Sequence, residues 1–140
     1  MSVKVLIVED YQPIRELAVR FLLAHGYTPV EVGSGEDALA AAPVEKPDII
    51  MLDIGLPGID GWETLQRLKA SPETAQIPVV IVTAMGRGDD IVRGYSLGAA
   101  GYIVKPYRID DLLHAFDVAL SGVRPSPSEE LAARRLPAQE

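Results

Sequence analysis

The stretch that decides the fold is Asp48-Ile49-Ile50-Met51-Leu52-Asp53. Its four central residues are apolar without a break, and an aspartate closes the run. A strand wetted on one face alternates apolar and polar residues. An unbroken short run is a strand buried on both faces, as in a parallel sheet covered by helices. Val5-Leu6-Ile7-Val8 and Val79-Val80-Ile81-Val82 repeat the pattern. Five runs are read as strands: Val3–Val8, Tyr27–Val32, Asp48–Leu52, Val79–Val82 and Tyr102–Val104. The second alternates and carries Pro29, which cannot donate to a ladder, so it belongs on an edge.

Segments of helical period separate the runs. Ile14, Leu17, Ala18, Phe21 and Leu22 form an apolar stripe at the spacing of one helix face, closed by Gly26. Ser34 caps a short helix carrying Ala38, Leu39 and Ala42, with Pro47 beyond its end. Gly61–Ala70 is a third helix with Leu65 and Leu68 inward. Arg87–Leu97 is a fourth, weakened by Gly88, Gly94 and two aspartates. Ile109–Ser121 is a fifth, with Leu112, Leu113, Phe116, Ala119 and Leu120 on one face. The pattern is (βα)5: an α/β, doubly wound, flavodoxin-like fold with right-handed crossovers. An edge position for strand 2 agrees with the five-stranded parallel order 2-1-3-4-5.

Composition fits this reading and narrows the chemistry. The 140 residues make about one domain, large enough to hold a core without disulfides or metal. The absence of cysteine excludes a disulfide scaffold, a thiolate zinc site and a thiol nucleophile. His25 and His114 lie far apart, which excludes a multi-histidine metal site. No apolar run reaches the roughly 18 residues of a membrane helix, and the N-terminus reads as a strand. The expectation is a soluble, cytoplasmic protein with no membrane insertion. A net charge of -7 disfavours direct nucleic-acid contact. After Ser121 the texture changes: Pro125, Pro127 and Pro137 punctuate a tail whose three arginines balance its three glutamates. Residues 1–121 are read as the folded domain and 122–140 as a tail. Ser126-Pro127-Ser128-Glu129 has capping-box form, so a short helix through about Leu136 is one reading of the tail and a linker the other.

Ligands of open α/β sheets bind beyond the carboxyl ends of the strands, where strand order reverses. Strand 1 ends in Glu9-Asp10, strand 3 in Asp53, strand 4 in Thr83-Ala84 and strand 5 in Lys105-Pro106. Three carboxylates, a hydroxyl and an ammonium thus converge on one edge. Clustered carboxylates take up protons unless a cation is present. Hard oxygen ligands select Mg²⁺, Mn²⁺ or Ca²⁺, and a set that leaves room for water and phosphate oxygens suits Mg²⁺. A carboxylate beside such a cation can attack phosphorus, with Lys105 and the cation neutralising the transferred group. Thr83 can donate to a phosphoryl oxygen, and the small Ala84 leaves the approach open. A flavin or nucleotide phosphate loop needs Gly, Ser or Thr after strand 1, where Glu9-Asp10 stands instead. An aspartate-based phosphatase places a second Asp two residues past the nucleophile. Gly55 occupies that position.

The chain resembles a response-regulator receiver domain of two-component signalling. The resemblance rests on Val5–Asp10, Asp48–Gly61, Val82-Thr83-Ala84 and Gly98–Pro106, and covers residues 3 to about 121. It implies that Asp53 accepts a phosphoryl group from a histidine kinase or histidine phosphotransfer protein. It implies a Mg²⁺ site, with Mn²⁺ as substitute, made by Asp10 directly, Glu9 more through water, Asp53 and the Gly55 backbone carbonyl. Thr83 and Lys105 bind phosphoryl oxygens on this reading. Tyr102 is the switch aromatic, partly buried at rest and turned inward when Thr83 moves. Thr83 and Lys105 are expected to need loop shifts to reach the phosphoryl group. The signal is expected to leave for a downstream protein target through the face of helix 4, strand 5 and helix 5. The resemblance also implies that Gly55 and Met85 flank the route of the attacking water. Ala100-Gly101 departs from the two aspartates usual in the winged-helix branch.

Four readings follow from these residues. They are a stand-alone receiver that is not an enzyme, a receiver cut from a hybrid kinase or larger regulator, a slow aspartyl-phosphate hydrolase, and a receiver working without phosphorylation.

Overall fold

A computed structural model describes residues 2–122. The elements alternate strictly: β1 Lys4–Val8, α1 Gln12–Ala24, β2 Thr28–Val32, α2 Gly35–Glu45, β3 Ile49–Leu52, α3 Gly61–Ala70, β4 Val79–Thr83, α4 Gly88–Ser96, β5 Gly101–Val104 and α5 Ile109–Leu120. The five strands form one parallel sheet in the order β2-β1-β3-β4-β5. The expected fold class is therefore the observed one. β2 lies on an edge, and Pro29 sits in it opposite Val5. The capping box and short helix read in the tail lie outside the described residues.

Alternate residues of each strand feed two cores. Leu6, Val8, Ile50, Leu52, Ile81 and Tyr102 face α2, α3 and α4, meeting Ala38, Leu65, Leu68 and Ile91. Val5, Ile7, Ile49, Met51, Val80, Val82 and Ile103 face α1 and α5, meeting Ala18, Leu22, Leu112 and Phe116. Both faces of the central strands are thus covered, which is why β1, β3 and β4 carry no polar alternation. Full burial of each Leu or Ile stabilises by about 1.5–3 kcal/mol. Tyr27 meets Phe116 edge-on at 5.7 Å between ring centroids.

The local signals work as expected at most ends. Ser34 Oγ accepts from the Asp37 amide at 3.0 Å, and Asp60 Oδ1 accepts from the Glu63 amide at 2.9 Å. Gly26 adopts φ +86° after α1. Pro43 stands inside α2, which sequence punctuation alone does not suggest. Gly94, read as a weakness of α4, is a close approach: a Cβ there would meet Ile81 and Tyr102 at 2.9 Å.

One expectation fails on α1. An apolar stripe of helical period ordinarily faces the core, but of Ile14, Leu17, Ala18, Phe21 and Leu22 only Ala18 and Leu22 are buried. Ile14, Leu17 and Phe21 are 39%, 45% and 36% exposed. A helix lying on an open sheet touches it along a narrow line, so the flank of a broad apolar stripe stays in solvent.

Candidate functional site

Three site residues are the first residue beyond a strand, and each is tied to the neighbouring strand by its own amide. Glu9 N–H donates to Val32 O at 3.2 Å, Asp53 N–H to Val8 O at 3.1 Å, and Lys105 N–H to Thr83 O at 2.8 Å. Parallel strands end at one edge, so these rungs bring the three side chains together.

Glu9, Asp10 and Asp53 each present a carboxylate oxygen within 4.8 Å of the other two. Glu9 is buried, Asp53 half-buried and Asp10 exposed. Lys105 Nζ donates to Glu9 Oε1 at 2.5 Å and to Asp53 Oδ2 at 3.3 Å. Glu9 Oε2 also accepts the Tyr11 amide at 3.2 Å. Asp53 Oδ1 accepts the Gly55 amide at 3.2 Å. Gly55 is exposed, and open space surrounds the position a Cβ would take, so the approach to Asp53 is clear on that side.

Burial pushes the Glu9 carboxyl above its ordinary range, and Asp53 adds to the rise. The Lys105 bond and the Tyr11 amide oppose it. Burial alone would lower the Lys105 ammonium, but the contacts with Glu9 and Asp53 outweigh it and hold Lys105 above its usual value. The site therefore keeps a firmly charged lysine against a carboxylate that is costly to ionise. This donor set fits a hard divalent cation: three carboxylates within reach of one ion, one of them exposed, with excess negative charge that a single ammonium only partly meets.

Thr83 ends β4 and is buried; its Oγ1 accepts the Met85 amide at a long 3.4 Å. Ala84 is exposed beside it. Tyr102 differs from expectation. Its ring is buried, at 1% exposure, and its hydroxyl donates to Met85 O at 2.6 Å. Gly94 leaves the space that admits the inward ring, which explains the burial of an aromatic on an edge strand. Lys105 already touches the Asp53 carboxylate. The Lys105–Pro106 bond is cis.

Three neighbours escaped sequence reasoning. Tyr107 lines a small cavity with Glu9, Asp53, Lys105 and Ile14. Burial raises its hydroxyl pKa, Lys105 lowers it, and Glu9 raises it. Its place directly after Lys105-Pro106 was the available signal. Arg15 reaches the Glu9 carbonyl from α1. Arg93 of α4 lies over the Trp62 ring of α3 at 4.3 Å, one residue from the Gly61 that packs on the Asp53 backbone. No pattern along the chain announces either of these two pairings.

Fold and site define a doubly wound α/β domain with an acidic, cation-competent edge. Comparison with known proteins places it further. The family model of the response regulator receiver domain matches residues 5–117, and the chain belongs to that family. It is 37% identical over 131 residues to the phosphate regulon transcriptional regulatory protein PhoB of Escherichia coli (strain K12), covering 94% of this chain and 57% of PhoB. It is 41% identical over 114 residues to the response regulator PleD of Caulobacter vibrioides, covering 81% of this chain and 24% of PleD. The chain thus spans little more than half of the one relative and a quarter of the other. The chemotaxis protein CheY4 of Vibrio cholerae superposes with a TM-score of 0.79 at 27% identity, over 85% of this chain and 99% of that one. A CheY-like receiver domain protein of Methanospirillum hungatei JF-1 gives 0.79 at 25% identity, over 87% and 96%. Among the described residues, no helix is long and apolar enough to cross a membrane.

Proposed function

We propose that this receiver domain is a phosphorylation switch whose acceptor is Asp53. The observation that carries the reading is the convergence of Asp53, Glu9, Asp10 and Lys105 at one sheet edge, with Asp53 held between an amide and an ammonium. A carboxylate oxygen of Asp53 attacks the phosphorus of a phosphohistidine on a histidine kinase or phosphotransfer protein. The P–O bond forms as the P–N bond breaks, and the departing imidazole keeps the electron pair and takes a proton. Lys105 is placed to hold a phosphoryl oxygen as charge moves onto Asp53. Thr83 donates its hydroxyl to a second one. Glu9, Asp10, Asp53 and the Gly55 carbonyl would hold Mg²⁺, or Mn²⁺ in its place. When bound, the cation supplies charge neutralisation to the phosphoryl group.

The exposed Ile14, Leu17 and Phe21 give the phosphodonor an apolar face to dock on, and Ile14 lines the same cavity as Asp53. The switch runs from Thr83 through Tyr102 to the α4–β5–α5 face, where a downstream protein reads it. The equilibrium need change by only a few kcal/mol. The switching unit is residues 1–121, with 122–140 as a tail. The domain works in the cytoplasm without direct contact to nucleic acid. Any loss of the phosphoryl group is slow self-dephosphorylation, since Gly55 offers no general acid two residues past Asp53.

Intact-mass spectrometry after acetyl phosphate treatment tests the reading. One phosphoryl group is expected, dependent on Mg²⁺ and absent from Asp53→Asn. An adduct that persists in Asp53→Asn and maps to another residue refutes the assignment. Release of many phosphates per protein would instead favour a hydrolase.

A further inference from the structure

The β1–β2 ladder stops at the acid pair. Its last rung is Glu9 N–H to Val32 O. Beyond Val32 the chain turns through Gly33 and Ser34 into α2, so β2 presents no further amide to the Glu9 carbonyl. Arg15 of α1 takes that place: its Nη1 donates to Glu9 O at 2.8 Å. Its Nε meets Glu31 Oε1 of β2 at 2.9 Å. The side chain is only 17% exposed, and Gly33 leaves it room, since a Cβ there would stand 3.3 Å from Nη1.

The carbonyl that Arg15 holds belongs to the peptide joining Glu9 to Asp10. Fixing this peptide sets the direction in which both side chains leave the main chain. Glu9 has further restraints in Lys105 and the Tyr11 amide. Asp10 is exposed and is placed by its backbone, yet it contributes an oxygen to the carboxylate cluster. Its aim therefore depends on the peptide plane.

We propose that Arg15 is a positioning residue for the divalent-cation site, locking the Glu9–Asp10 peptide, with Glu31 as the brace that keeps the guanidinium aimed. The inference rests on the cation reading above. A planar guanidinium serves the two acceptors from fixed directions, Nη1 to the carbonyl and Nε to Glu31, with a rigidity that a freely rotating ammonium lacks. Loosening the peptide costs cation affinity. It leaves the transfer step intact once the cation is seated, because Asp53 and Lys105 are held by other rungs.

The test uses the full chain and Mn²⁺, counted by the loss of its free-ion electron paramagnetic resonance signal. Phosphorylation by acetyl phosphate is followed in parallel against Mg²⁺ concentration. Loss of an outer partner of metal ligands typically weakens binding about 10-fold or more. Arg15→Met is expected to bind Mn²⁺ about 10-fold more weakly and to need about 10-fold more Mg²⁺ for half-maximal rate. Its rate at saturating Mg²⁺ stays within about twofold of wild type, and Arg15→Lys recovers part of the affinity. Arg20→Met, exposed on the same helix, leaves both unchanged. Should Arg15→Met fail to fold, Glu31→Ala carries the test: it keeps the guanidinium, removes the brace, and is expected to weaken Mn²⁺ binding about threefold. Wild-type affinity in these variants, with only a lower melting temperature, overturns the proposal and leaves Arg15 a strut. A fallen saturating rate at unchanged affinity overturns it too. Wild type must take up Mn²⁺ and Asp10→Asn must lose it; if wild type takes up none, the cation reading itself falls and the proposal with it.

Discussion

Replacing Lys105 by methionine keeps an unbranched side chain one atom shorter and removes its charge. The structure lets the consequence be worked out. Two unit charges at 2.5–3.3 Å attract by about 5–7 kcal/mol per pair at an effective dielectric constant near 20. Desolvation of Glu9 and Lys105 takes back most of this. Removing one partner of a fully buried pair costs about 3–5 kcal/mol. The Lys105 side chain retains 23% exposure, so the expected loss is nearer 2 kcal/mol in the absence of divalent cation. The variant also leaves Glu9 facing Asp53 without a counter-charge, which drives the already raised Glu9 pKa higher still. A proton on Glu9 relieves the repulsion, so the loss is larger at about pH 8 than at about pH 5.5.

The alkaline side has the opposite sign. Lys105 has a raised folded pKa, so its contribution is complete below the usual 10.5 and fades as pH rises through the folded value. Wild type approaches the variant there. Mg²⁺ takes over the role of the missing ammonium in the variant. A ligand at 100 times its Kd stabilises by about 2.7 kcal/mol. A site freed from a competing ammonium binds more tightly, and the Mg²⁺ increment in Lys105→Met therefore exceeds that in wild type. Urea denaturation followed by the fluorescence of Trp62, the one tryptophan and a buried one, measures all of this. Equal stability of variant and wild type without Mg²⁺ at both pH values refutes the argument. So does a smaller Mg²⁺ increment in the variant.

Two further perturbations probe the supports of the site. A Cβ on Gly61 would stand 2.4 Å from both Asp53 O and Ile54 Cα, which are backbone and cannot swing aside. Gly61→Ala gains about 1 kcal/mol of helix propensity. It loses about 1–3 kcal/mol to overpacking, with the unyielding backbone favouring the upper end, so a net loss near 1–2 kcal/mol in urea melts and slower phosphorylation are expected; a more stable protein would count against the close packing. The raised Glu9 pKa predicts proton competition for the cation: Mg²⁺ affinity falls with pH from above the ordinary 4.5, and calorimetric titrations over a pH series would show it. Glu9→Gln removes that slope, and an affinity constant down to pH 4.5 in wild type would contradict it.

Much of this was legible along the chain, for a physical reason. A parallel sheet sends every strand the same way, so the residues just past the strands share one edge. Glu9, Asp53 and Lys105 could therefore be grouped without coordinates. The packing of α1 was not legible, because period reports amphipathicity and not the width of the contact; Ile14, Leu17 and Phe21 show the difference. The burial of Tyr102 depends on Gly94, a residue on another element. Arg15 with Glu9 and Arg93 with Trp62 meet only through the fold, and neither pair has a signature in spacing.

If Asp53 is the acceptor, the contacts around it make the two sides of the sheet respond unequally. Lys105 already bonds Glu9 and Asp53, so on the proposed reading it exchanges one negative partner for another and its loop has little reason to move. On that reading the α1 side is nearly the same before and after transfer. Thr83 is different. Its hydroxyl accepts one bond at 3.4 Å, near the limit of hydrogen bonding, and redirecting it costs little. That bond comes from the Met85 amide, and the Met85 carbonyl holds the Tyr102 hydroxyl. A pull on Thr83 thus reaches Tyr102 through one residue. Tyr102 in turn packs on Gly94 of α4, a helix whose first turn has no side-chain cap. New charge at Asp53 has a short, weakly restrained path toward α4 and a rigid one toward α1. The asymmetry follows from which groups are already satisfied, and it is the one the proposed function requires: a donor docked on the side that stays still and an output on the side that moves.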